Sequence, residues 1–389
     1  MRPVYLDHNA TTRPSPGVAD AVRRGVEDLW GNPSSVHRAG QDARAGVELA
    51  RASLARLIGA REREIVFTSS CTEAIDLGVR GSLEALGDRR PALVTSPVEH
   101  AAIRELADDL ARRGTEVREL PVRRAGVYDL DAAREIIDGS VGVVAVQLAN
   151  NETGVLQPVE ELGRLCARAG AVLLADGAQW VGKLPLDVRD ETGPASGVGL
   201  LAISGHKFHA PKGVGALWIR RGVRVRPRLL GTHELGRRGG TENVPGILGL
   251  GVASDEARGW LADPARRAGI ASLRDRLERL VLDRVPDAVI NRPPDDGDRL
   301  WNTTSIGFPG LEAETILIPL SERGVYASAG AACSSGSLEP SPVLRAMGIP
   351  DRVAHGSIRL SLGRDTTPDD VERGAEVIAG VVASLAGAG

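Results

Sequence analysis

Val141-Gly142-Val143-Val144-Ala145-Val146-Gln147-Leu148, followed at once by Ala149-Asn150-Asn151-Glu152-Thr153-Gly154, is the stretch on which the fold turns. An apolar run broken only by Gln147 has the pattern of a strand buried on both faces. Strands of that kind belong to parallel sheets covered by helices on either side. Working outward, residues 64–67, 92–96, 171–175 and 198–204 read as further strands, with 213–220 as an extra one. Helical patterns start near Thr72 and cover 101–113 and 158–169, the last with Pro158 suited to its first turn. The alternation predicts a mostly parallel α/β sheet. After about residue 255 the rhythm loosens. Helices at 272–285 and 369–385 and strands at 302–308 and 357–362 predict a second, smaller α+β domain. Residues 292–298, rich in proline, read as a surface loop.

Composition narrows the class of protein. The chain has 389 residues, 42% hydrophobic and 25% charged, with a net charge of -3. Those are the proportions of a globular enzyme of two or so domains, with no field to hold nucleic acid or an anionic membrane. Asp7 and His8 interrupt the apolar start, so no secretory signal is expected. The most apolar stretches, 141–149 and 377–389, fall short of the roughly 20 residues of a spanning helix. Three cysteines without metal-site spacing make no disulfide framework and predict a reducing cytoplasm and no metal.

Of the 48 basic residues only Lys183, Lys207 and Lys212 are lysines. In a chain that so avoids lysine, one in an odd setting is there for its amine, which guanidinium cannot replace in a Schiff base. Lys183, in Gly182-Lys183-Leu184-Pro185, and Lys212, in Pro211-Lys212-Gly213, read as solvated loop lysines. Lys207 ends a strand in Ser204-Gly205-His206-Lys207. By spacing alone it is equally a solvated turn lysine or a reactive amine.

Ligands of open α/β sheets sit at the carboxyl ends of strands, and the other strand ends are rich in polar groups. Thr68-Ser69-Ser70-Cys71-Thr72-Glu73 leads into a helix, either as a phosphate cradle or as plain N-capping. Glu99-His100, Asn150-Asn151 and Asp176-Gly177-Ala178-Gln179 follow the next strands. A cradle, an acid, a ring partner and a lysine at one site is what pyridoxal phosphate requires. Cys333 lies in Ser328-Ala329-Gly330-Ala331-Ala332-Cys333-Ser334-Ser335-Gly336-Ser337, a run with little to bury, and reads as an accessible thiol. Cys166 reads as helix core. Cys71, at a helix start, is either a thiol of lowered pKa or a small residue packed beside the cofactor.

Eight motifs in order carry a resemblance: Tyr5 to Thr12, Gly31 to His37, Asn150 to Gly154, Asp176 to Gln179, Ser204 to Lys207, Gly239 to Asn243, Cys333 with Ser337 to Ser341, and Ser357 to Arg364. Together they resemble the NifS/IscS-type cysteine desulfurases of the class V aminotransferase group. The resemblance implies a fold-type I pyridoxal-phosphate enzyme. Residues 15–257 would form the large domain, and 1–14 with 258–389 the small domain that carries the cysteine loop. It implies Lys207 as the Schiff-base lysine and proton shuttle, Asp176 on the ring nitrogen, Gln179 on the phenolic oxygen and His100 stacked on the ring. Thr72, Ser204 and His206 would hold the phosphate, with Cys71 beside it and Thr241 reaching it from a partner subunit. Asn151 and Arg359 would grip the substrate carboxylate, a task that suits a guanidinium fork. Cys333 would take the sulfur of L-cysteine as a persulfide, leaving L-alanine, and pass it to an acceptor protein of iron–sulfur assembly or thiolation. A homodimer is implied.

The chain departs from the family pattern at Ser70, Cys71 and Asp76, usually Gly, Ala and Asn, and at Gly231-Thr232-His233-Glu234, usually Gly-Gly-Gln-Glu. The alternatives on the same scaffold are a selenocysteine lyase, a cystine C–S lyase or an aminotransferase. An aminotransferase has no use for Cys333. A non-catalytic sulfur-relay protein is the alternative of another class, and it has no use for Lys207, Asp176, His100 and Arg359.

Overall fold

The computed structural model describes residues 2–292, 298–330 and 339–387. Its centre is a seven-stranded sheet. Across the sheet lie Ile65–Thr68, Gly215–Ile219, Leu200–Ser204, Val172–Asp176, Val141–Gln147, Ala92–Thr95 and Val117–Glu119. From Leu200–Ser204 to Val117–Glu119 all pairings are parallel, and Gly215–Ile219 is antiparallel to both neighbours. The mostly parallel α/β sheet expected from sequence is therefore the observed one.

Every residue of Val141–Gln147 is buried, and the reason lies in the two-residue period of a strand. Val66, Leu93, Val143, Leu174 and Leu200 face the core shared with helices Cys71–Leu86 and Ala101–Arg112. Their chain neighbours Phe67, Val94, Val144, Leu173 and Leu201 face the other core, against Arg38–Ile58, Val159–Ala169 and Val244–Leu261. Each such side chain contributes about 1.5–3 kcal/mol by leaving water. Both layers are needed to cover the sheet.

A third hydrophobic cluster gathers Val4 and Leu6 with Ile306, Phe308, Ile358, Leu360, Ile378 and Val381. There Val4–Tyr5 pairs in parallel with Val325–Tyr326, and Ser357–Ser361 lies between Ser328–Ala329 and Thr303–Gly307 in an antiparallel sheet. The N-terminus thus reaches across to the last third of the chain and lays residues 7–12 along the end of the large sheet.

Local corrections have local causes. The helix expected from Pro158 starts at Val159, with Pro158 as its cap rather than its first turn. The helix expected at 272–285 begins earlier, at Pro264, where Asp263 accepts from Ala265 N at 2.9 Å. Pro16–Glu27, Arg38–Ile58 and Val244–Leu261, which no strand-to-strand rhythm announces, pack together. Among the described residues no helix is long and apolar enough to cross a membrane.

Candidate active site

The carboxyl ends of the central strands open into a cavity of about 370 Å³. On one wall the strand Ile65–Thr68 runs into helix Cys71–Leu86. Ser70 caps it, its hydroxyl accepting from Glu73 N at 3.2 Å, while the Glu73 carboxylate accepts from Ser69 N at 2.7 Å. The first-turn N–H groups have no carbonyl of their own helix to bond, and Ser70, Cys71 and Thr72 line the cavity. Gly215 permits this approach, since a Cβ there would lie 2.7 Å from the Ser70 carbonyl carbon.

Asp176 ends its strand buried, one carboxylate oxygen accepting from Ala178 N at 2.8 Å. The same oxygen lies 3.5 Å from Cys71 Sγ. Burial, then the Asp176 charge, pushes the Cys71 thiol well above its usual pKa. Cys71 is thus a buried thiol packed against Asp176. The helix N-terminus does not make it a low-pKa thiol.

Lys207 follows Leu200–Ser204 in a tight 3-10 turn and donates to the carbonyls of Asn9 and Ala10 at 2.6 and 2.8 Å. Burial and the nearby Arg359 cation lower its amine to about 8, against the opposing pull of Asp176. His206 is lowered to about 4 by burial and by the cationic lysines around it, and its Nδ1 sits 3.1 Å from Thr11 Oγ1. His100 caps helix Ala101–Arg112, its Nδ1 accepting from Ala102 N at 3.1 Å. Burial lowers its pKa. A neutral ring that accepts at Nδ1 carries its proton on Nε2.

Arg359 lies 3% exposed on Ser357–Ser361 and donates to Asp7 Oδ1 at 2.7 Å and to Asn151 O at 3.1 Å. Its Nε is buried with no partner among the described residues. Asn151, Gln179 and Ser204 complete the expected residues that line this cavity.

Two candidates do not meet the others there. Thr241 is exposed and lines a separate depression with Ser69 and Gly240. Cys333 lies outside the described residues, although Gly330, three residues before it, lines the cavity. Lys183 needs correction. It is 4% exposed, not a solvated loop lysine, and donates to Asn9 Oδ1 at 2.7 Å and Gln179 Oε1 at 2.5 Å. The loop Gly182-Lys183-Leu184-Pro185 lies beneath the N-terminal segment, and a motif cannot announce which turn another part of the chain will cover. Lys212 is exposed as expected.

The sequence named Asn9 within a motif and Glu99 at a strand end but pointed to a role for neither. Asn9 sits inside the quoted Tyr5 to Thr12 motif and is fully buried, its side chain receiving Lys183 and its backbone carbonyl receiving Lys207. Glu99 lines the cavity, 2% exposed, and accepts from the buried Tyr128 hydroxyl. Its other oxygen has no partner among the described residues, and burial holds its pKa well above the usual carboxylate range.

This arrangement has counterparts among known proteins. The pattern of the family described as Aminotransferase class-V matches residues 4–373. A cysteine desulfurase of Nostoc sp. is 45% identical over 386 residues, covering 99% of this chain and 94% of that protein. Cysteine desulfurase NifS of Azotobacter vinelandii is 43% identical over 387 residues, with the same coverage of 99% and 94%. A solved structure of a NifS-like protein matches with a TM-score of 0.90 at 33% identity, over 98% of this chain and 100% of that one. With end-to-end coverage at such identity, and the same fold, the chain belongs to the class-V aminotransferase family, among its NifS-like members.

Proposed function

We propose that the protein is a pyridoxal-phosphate-dependent cysteine desulfurase, converting L-cysteine to L-alanine and carrying the sulfur as a persulfide on Cys333 to an acceptor protein. The observation that carries this reading is the meeting of Lys207, Asp176, His100, Arg359 and a helix N-terminus in one cavity. The donor set fits the cofactor. Thr72, Ser204, His206 and the first-turn N–H groups suit a phosphate, and Asp176 suits a protonated ring nitrogen. When bound, pyridoxal phosphate supplies a ring that takes up the electron pair left by the departing α-proton of the substrate.

The residues of the chain divide the remaining work. Lys207 would hold the cofactor and then move the substrate's α-proton, as a lysine of lowered pKa is able to do. Gln179 would reach the phenolic oxygen, His100 would stack on the ring, and Thr241 would reach the phosphate from a second subunit. Arg359 and Asn151 would fix the substrate carboxylate. The Cys333 thiolate would form an S–S bond to the substrate sulfur as the C–S bond breaks, and the electron pair stays with the carbon skeleton released as alanine. We also read residues 15–257 and 1–14 with 258–389 as the two domains. The setting proposed is a cytoplasmic homodimer that hands sulfur to a protein and makes no direct contact with nucleic acid.

The test is incubation of the protein with L-cysteine, pyridoxal phosphate and a thiol reductant, quantifying sulfide and alanine together. Equal amounts support the reading, and alanine without sulfide, or pyruvate in its place, overturns it. Replacing Arg359 by alanine removes a donor to the substrate carboxylate. We expect KM for L-cysteine to rise on the order of tenfold to a hundredfold, with a smaller change in kcat. Steady-state kinetics check this, and an unchanged KM removes Arg359 from substrate binding.

A further inference from the structure

Lys183 is a buried amine that the reaction as derived above does not use. Its partners are fixed unambiguously by the atoms around them. Asn9 Nδ2 lies 3.2 Å from the Asn151 carbonyl oxygen and 2.9 Å from Thr303 Oγ1, whose own proton goes to Asn302 Oδ1. A carbonyl only accepts, so this end of Asn9 is nitrogen and the end facing Lys183 is oxygen. The same logic holds for Gln179. Its Nε2 faces the backbone carbonyl of Asn9 at 3.1 Å, so the atom 2.5 Å from Lys183 is Oε1. Lys183 therefore donates twice, to Asn9 Oδ1 and to Gln179 Oε1.

We propose that Lys183 is a positioning residue for the cofactor site: its amine ties down the oxygen of Gln179, so that Gln179 presents an N–H donor to the cavity. This rests on the reading that the cavity takes pyridoxal phosphate. The ring of that cofactor carries a phenolic oxygen, for which an amide N–H is the complementary partner and an amide oxygen is not. Without Lys183 nothing among the contacts of Gln179 distinguishes the two orientations except the single bond to Asn9. The carbonyl of Asn9 also receives Lys207, so one hub aligns the amide and the reactive amine.

The setting explains why this basic residue is a lysine. The charged groups acting on it are Lys207, Arg359 and Arg364, all cationic, and with burial they push its amine well below its usual pKa. His8 lies close enough to feel the charge of Lys183 and is itself lowered to about 3, chiefly by burial. No carboxylate is among the groups acting on Lys183. A lysine amine has the N–H groups for its two acceptors on a single nitrogen, whereas guanidinium would bring surplus donors.

The test is a double-mutant cycle on the full-length apo-protein, titrated with pyridoxal phosphate and followed by visible absorption. Lys183→Met and Gln179→Met are each expected to weaken binding on the order of tenfold. The double variant should bind no more weakly than Gln179→Met alone, because Lys183 acts through Gln179. The pH midpoint of the bound cofactor's colour change should move in the same direction in both single variants, and no further in the double. Multiplying effects in the double variant, or wild-type binding by Lys183→Met, overturns the inference. If Lys183→Met fails to fold, Lys183→Gln takes its place in the same cycle, with a milder loss expected and the same two overturning outcomes. Failure of the wild-type protein to bind pyridoxal phosphate is seen before any variant is made. That outcome removes the functional reading itself, and this inference with it.

Discussion

Lys207→Ala abolishes the yellow colour of the cofactor-loaded protein and lowers sulfide release from L-cysteine by at least about a thousandfold. The argument is one of access as well as chemistry. Lys207 lines the cavity, whereas Lys212 is exposed and Lys183 is turned to Asn9 and Gln179, neither of them among the lining residues, so neither offers its amine there. Lys207→Arg should fare no better, because guanidinium forms no Schiff base. The amine of Lys207 is lowered to about 8, and only its neutral form attacks a carbonyl. In the wild-type apo-protein the rate of colour formation should therefore rise with pH and level off above about pH 8. Stopped-flow absorbance across pH 6–10 (roughly the range that brackets a lowered lysine) checks the profile. Colour that survives in Lys207→Ala would move the reactive amine elsewhere.

The sheet was legible because each strand carries apolar residues for both faces, so that neighbours such as Val143 and Val144 enter different cores. That leaves unbroken apolar runs between turn residues, a strong signal in one dimension. Helix Val244–Leu261 gave no such signal. It is buried on many sides and threaded with Gly246, Gly249 and Gly251, so it lacks the single apolar stripe by which a surface helix is recognised. At the site, residues whose chemistry resides in the side chain were legible at strand ends: Asp176, Lys207, His100. Asn9 was not, since its amide and its carbonyl meet Lys183 and Lys207 only once the start of the chain is folded over them. Lys183 was misplaced for a related reason. Its turn reads as surface until residues 7–12 arrive from the far end of the chain to cover it. Glu99 and Tyr128 meet only because their segments fold onto the same end of Val141–Gln147, where Tyr128 Oη also approaches Gln147 N at 3.2 Å.

Cys71 shows a departure from the family pattern acquiring a physical consequence. A thiol where alanine is usual places a weak S–H donor against Asp176, the carboxylate proposed to hold the ring nitrogen. The bond shares an oxygen with Ala178 N, so it restrains the carboxylate rather than replacing its backbone anchor.

Cys333→Ser is expected to bind pyridoxal phosphate and L-cysteine normally and to release sulfide at less than about a hundredth of the wild-type rate. The described residues on either side supply the geometric part of the case. Gly330 lies against Glu152, whose carboxylate a Cβ there would have to displace. Ser341 donates to the same carboxylate at 2.6 Å and caps helix Pro342–Ala346. The chain therefore departs from and returns to one buried carboxyl group in the cavity wall. Gly330, three residues before Cys333 in the sequence, lines that cavity. Serine preserves size and loop composition but removes the polarizable nucleophile, so binding and sulfur abstraction should separate. Substrate-induced spectral change, measured in the same cuvette before sulfide and alanine are assayed, reports binding. Retained spectral response with lost sulfide assigns Cys333 to the attack on sulfur. Loss of both would make Cys333 a binding residue instead, and full turnover would transfer the nucleophile's part to another group altogether.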